Sequence, residues 1–169
     1  MRDPLPALLD RALIAPGRRL LIGVGNRDRG DDAVGPIVCD LVREQQLAGV
    51  VIEVLEGSVV DLPLRWEPDD HVVIVDAAEP AGSAGHVTVV DALAEHLTAP
   101  NTISTHSIDV GAAIELSRAL DRLPSGLHIV GVEAEAFEFG APLTTSVQAA
   151  AERLAATLSR RADRPADGS

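Results

Sequence analysis

Apolar runs alternate with amphipathic stretches along this chain, the pattern of strands and helices taking turns around a largely parallel sheet. Arg19 to Gly25 is apolar, as a strand covered on both faces should be. Val34, Ile37, Val38, Leu41 and Val42 then recur at i, i+3, i+4, i+7 and i+8, one face of a helix that Gly49 ends. Val50 to Leu55 reads as a second strand, followed by a short helical turn from Glu56-Gly57-Ser58 through Leu64. His71 to Asp76 is a third strand. Gly85 to Val90 is a fourth, placed at an antiparallel edge because its connection is too short for a helical crossover. After a loop from Thr98 to Thr105, a helix from His106 to Leu120 turns Ile108, Ala112, Leu116 and Leu120 to the core. Leu127 to Val132 is the last strand, and a helix from Leu143 to Ser159 closes the chain with Val147, Ala151, Leu154 and Leu158 facing inward. The expected organisation is an N-terminal arm over 1–18, one α/β domain over 19–159 and a disordered tail over 160–169.

Chemistry concentrates where the first strand stops. Gly23-Val24-Gly25-Asn26 leads through Gly30-Asp31-Asp32 to the first helix, and in an open α/β sheet ligands sit outside the carboxyl ends of the strands. Glycine there serves a turn with positive φ or a close backbone approach. The loop does not fit a dinucleotide fingerprint, because Asp28 stands where the third glycine belongs, and it has no P-loop lysine. Asp31 and Asp32 each have a plainer reading as helix caps, since a carboxylate at a helix start accepts from free backbone N–H groups.

Composition narrows the partners. With 169 residues the chain is one domain in size, and its net charge of −12 argues against nucleic acid and anionic membrane surfaces. All 14 basic residues are arginines, and they are scattered. Cys39 is the sole cysteine, so intramolecular disulfides and cysteine-based zinc sites are excluded, and core filling is its expected role. The N-terminus lacks the unbroken apolar core of a signal peptide, and no run approaches a membrane span. A cytoplasmic monomer with no membrane partner is the expectation.

Three candidate ligands fall at equivalent places: Asp32 after the first strand, Asp76 at the end of the third, and His106 at the mouth of a helix. Two carboxylates and an imidazole form a mixed oxygen and nitrogen set that suits a borderline divalent metal such as nickel or zinc. Spacing leaves the alternatives open, for strand-end aspartates also bind loop backbone and His106 also suits a capping turn. His71, His86, His96 and His128 accompany no motif. Trp66 reads as core. Phe137 and Phe139, flanking Glu138 in a loop, read as core or as peptide contacts.

Gly23-Val24-Gly25-Asn26, Gly30-Asp31-Asp32, Gly35, Val75-Asp76-Ala77 and Ser104-Thr105-His106, in that order, resemble the hydrogenase maturation endopeptidases. The resemblance covers roughly residues 19–159. It implies a three-layer α/β/α sandwich and a hydrolase that removes the C-terminal extension of a nickel-iron hydrogenase large-subunit precursor after nickel insertion. It further implies that Asp32, Asp76 and His106 bind the metal and carry the catalysis, with nickel brought by the precursor and no organic cofactor. Three segments depart from the family pattern: Glu56-Gly57-Ser58, Ala134-Glu135-Ala136 and Leu143-Thr144-Thr145. A non-catalytic nickel-site checkpoint on the same fold is the rival reading.

Overall fold

Arg19–Val24 (β1) is buried from Leu20 onward, because both of its faces are covered. Its alternation sorts the side chains: Leu21 enters one core and Leu20, Ile22 and Val24 enter another. Full burial of each such aliphatic side chain is worth about 1.5–3 kcal/mol, so this strand is the anchor of both layers. The computed structural model describes Leu9, residues 13–94 and residues 107–162.

Strand β1 lies between Val50–Leu55 (β2) and His71–Ala78 (β3), both parallel to it. Gly126–Glu133 (β5) pairs parallel with β3, and Val87–Asp91 (β4) pairs antiparallel with β5 at the edge, giving the order β2-β1-β3-β5-β4. The antiparallel edge strand and the parallel remainder are as the connection lengths predict. Val34–Glu44 (α1) and Thr145–Ala162 (α3) cover one face, and Ser107–Ala119 (α2) covers the other. The result is a three-layer α/β/α sandwich.

Helix α1 buries Val34, Val38 and Val42, as their spacing requires. Helix α2 does not follow its predicted face. Val110, Ala113, Ile114 and Ser117 are buried, whereas Ala112, Leu116 and Leu120 are exposed; the side chain of Ile108 lies outside the described residues. Apolar residues occur all round this helix, so two stripes at helical spacing compete, and the smaller side chains meet the sheet. Helix α3 runs past the predicted stop at Ser159 to Ala162; residues 163–169 lie outside the described residues. The N-terminal segment contributes to the core, since Leu9 and Leu13 are buried in the cluster beneath α1 and α3.

One close approach fixes the first helix on the sheet. A Cβ at Gly35 would collide with the carbonyl oxygens of Val24 and Val75, and one at Gly23 would collide with the Gly35 carbonyl. The start of α1 therefore rests directly on the ends of β1 and β3. The turn that precedes it, including Asp32, is carried to the same edge.

Candidate functional site

Gly25, with φ of +142°, reverses the chain after β1; the place of its missing Cβ is filled by the Asp32 carbonyl oxygen. This glycine serves the chain's own turn. The turn then closes as a 3-10 segment, Gly30–Ala33, whose four residues are all buried. Successive side chains on such a segment point about 120° apart, so Asp31 and Asp32 serve different neighbours. Neither makes a helix cap: α1 begins at Val34 with Ala33 at its N-cap and no side-chain cap bond, so the capping reading is corrected.

Asp31 is a structural hub. One oxygen accepts from Glu135 N at 2.8 Å and Ala136 N at 3.0 Å. The other accepts from Thr144 N at 2.7 Å, and the Thr144 hydroxyl lies within 3.1 Å of both. The loop between β5 and α3 is thereby stitched to the turn carrying Asp32. The segments that depart from the family pattern, Ala134-Glu135-Ala136 and Leu143-Thr144-Thr145, are the ones Asp31 holds.

Asp32, fully buried, accepts from Asn26 N through Oδ2 at 3.1 Å, which pins the Gly-Asn loop. Asp76, also fully buried, ends the run of apolar residues in β3 and accepts from Ala77 N through Oδ1 at 2.8 Å. Its Oδ2 has no hydrogen-bond partner among the described residues. Burial pushes the Asp76 carboxyl up to about 8, with the nearby Asp32 charge adding to the rise and the Ala77 N–H opposing it. The 3-10 turn packs against β3, so the two carboxylates predicted to share a site do face a common edge of the sheet.

The third predicted ligand, His106, lies outside the described residues, and among those described no group of three His, Cys, Asp or Glu side chains gathers. What can be placed is the helix that follows it. Arg118, near the end of α2, donates to the Ala92 carbonyl, and Trp66 Nε1 donates to the Arg122 carbonyl at 2.8 Å, both toward the edge where β5 begins. Helix α2 therefore opens at the opposite edge, with Asp32 and Asp76. Strand alternation also puts Asp76 on the face of β3 shared by Val72 and Ile74, the face that α2 covers.

The remaining candidates resolve as packing or support. His128 is buried on β5, and Trp66 is 1% exposed in the core. Cys39 is buried and its thiol is pushed up to about 12 by desolvation, which leaves it inert. The phenylalanine pair divides: Phe137 packs against the core, whereas Phe139 is 80% exposed. Sequence reasoning gave Asp31 no role beyond capping and passed over Glu133. This buried carboxylate at the end of β5 accepts from Ala81 N and Ser83 N and holds the loop that follows β3. Glu56, in the third departing segment, pairs with Arg27, which also pairs with Asp40. No helix among the described residues is long and apolar enough to cross a membrane.

The sequence model of the hydrogenase maturation protease family matches residues 57–161. The hydrogenase 2 maturation protease of Escherichia coli is 27% identical over 138 residues, covering 80% of this chain and 84% of that protein. The crystal structure of a NiFe hydrogenase maturation protease, HycI from Thermococcus kodakarensis, matches with a TM-score of 0.72 at 25% identity, over 96% of this chain and 100% of that one. The maturating endopeptidase HybD from Escherichia coli matches with a TM-score of 0.68 at 25% identity, over 85% and 89%. With more than half its length under the family model and the fold of solved members, this chain belongs to the hydrogenase maturation proteases and is an endopeptidase.

Proposed function

We propose that this endopeptidase cuts the C-terminal extension from a nickel-iron hydrogenase large-subunit precursor, and that Asp32, Asp76 and His106 read the nickel the precursor already carries. The observation that carries the reading is the pair of fully buried carboxylates at one sheet edge, one oxygen of Asp76 being without a hydrogen-bond partner among the described residues. Burying two like-charged groups is costly unless a cation compensates them. An oxygen aimed at no donor is a fitting ligand for a metal ion. His106 directly precedes in sequence the helix that opens at that edge, and it is the residue to which this reading assigns the nitrogen of the set.

The donor set also argues that nickel arrives with the substrate. Carboxylates and imidazole discriminate weakly among first-row divalent ions, whose selection depends on geometry and ligand type. Three such side chains form a poor trap for a scarce ion, but they complete the coordination of one already held by a partner's thiolates. Recognition and quality control then become one event. Bound nickel supplies Lewis acidity beside the scissile carbonyl. Hydrolysis adds water across the peptide bond, leaving a carboxylate on the mature subunit and an amine on the released extension. Asp31 and Glu133 keep the surrounding loops in place while this happens.

Nickel-edge X-ray absorption on the loaded precursor, alone and after mixing with the protease, tests the reading. Mixing is expected to add oxygen or nitrogen neighbours at about 2.0–2.2 Å, the range of metal bonds to these side chains. An unchanged spectrum on a mixture that goes on to cleave would overturn it.

A further inference from the structure

We propose that Phe139 is the docking anchor for the polypeptide substrate, held out beside the Asp32–Asp76 edge by a loop that is fixed before the substrate arrives. The inference rests on the reading that the site lies at that edge.

Phe139 is 80% exposed, yet the loop around it is tied down from several sides. The Asp31 carboxylate accepts from Glu135 N and Ala136 N, and Asp31 N donates to the Ala136 carbonyl at 2.9 Å. Gly140 N donates to the Asp28 carbonyl at 2.7 Å and Ala141 N to the Glu138 carbonyl at 3.3 Å. Phe137 roots the loop in the core, and Gly30 lets it approach so closely that a Cβ there would meet the Ala136 carbonyl at 2.7 Å. An aromatic ring in water on a mobile loop is unremarked. On a fixed loop stitched to the residue next to Asp32, it offers contact area whose ordering cost is already met before binding. Aromatic side chains in that setting are the common anchors of protein interfaces.

The neighbours narrow the occupant. Glu135 and Glu138 in the same loop, and Asp28 in the segment bonded to it at Gly140, are all exposed, so their charges disfavour an acidic segment. The fitting partner is a non-acidic stretch of the precursor near its scissile bond, with an apolar side chain against the ring. Among the other exposed apolar residues, Val60 and Leu116 line a groove between α2 and the segment after β2, and that segment meets the turn over residues 25–33 through the exposed Arg27–Glu56 pair rather than through the Asp31 bonds that fix the Phe139 loop.

Steady-state cleavage of nickel-loaded precursor by Phe139→Ala, Phe139→Leu and Val60→Ala tests this. Phe139→Ala is expected to raise KM about tenfold with kcat and melting temperature held, and Phe139→Leu to restore part of the loss. Val60→Ala should leave KM as it is. An unchanged KM in Phe139→Ala, an equal rise in Val60→Ala, or a fall in kcat at constant KM would each overturn the inference. Asp76→Asn run in the same assay separates the two readings. If it is dead while Phe139→Ala keeps a normal KM, docking alone fails; if it cuts normally while Phe139→Ala loses affinity, the carboxylate site alone fails.

Discussion

Asp76→Asn is expected to lower cleavage by three orders of magnitude or more, about 4 kcal/mol of transition-state stabilisation, without unfolding the protein. The substitution keeps the shape of the side chain and the acceptor facing Ala77 N, but it removes a charge that the site is proposed to offer a cation. Stability should move the other way as pH rises from about 4 to about 8. The buried carboxyl has its value raised from 3.8 to about 8, so in the metal-free protein it removes stability as pH climbs through that interval and leaves it intact below. The amide has no such dependence. Melting temperatures under chelation should therefore show the variant gaining on the parent between pH 4 and pH 8. Full activity with an unaltered fold would remove Asp76 from the mechanism.

Asp31→Ala is expected to be the most destabilising single change at the mouth, by about 2–4 kcal/mol, because it leaves four part-buried donors without their acceptor, at up to about 1 kcal/mol each once water reaches them. The abandoned donors are Glu135 N, Ala136 N, Thr144 N and the Thr144 hydroxyl. Asp31→Asn keeps one acceptor and should cost roughly half as much. Urea unfolding measures both. A loss under about 1 kcal/mol for the alanine variant would mean that water replaces the carboxylate and that the loop is not held by it.

The contrast between Asp76 and Asp31 marks what the amino-acid sequence carries and what only the folded chain decides. The strand that ends in Asp76 was legible from its apolar run, and the edge strand β4 from its short connection, because burial and chain length act locally. The face of α2 was not, since Ala112, Leu116 and Leu120 repeat as regularly as Val110, Ala113, Ile114 and Ser117, and only the sheet decides between them. Asp31 was undecidable for a related reason. Its partners are more than a hundred residues away in the β5–α3 loop, and a backbone N–H that needs an acceptor leaves no trace in the side-chain sequence. The two carboxylates at one edge follow from parallel topology, which places every strand end on the same side. The separation of Phe137 from Phe139 depended on which way the loop between β5 and α3 turned.

Cleavage of nickel-loaded against nickel-free precursor, followed by intact mass under a chelator that does not strip the loaded form, tests the central claim most directly. The account predicts a single truncated product from the loaded precursor and none from the empty one, even with free nickel added to the protease. Equal cleavage rates for the two would contradict it, and would mean that the enzyme reads the peptide and not the metal.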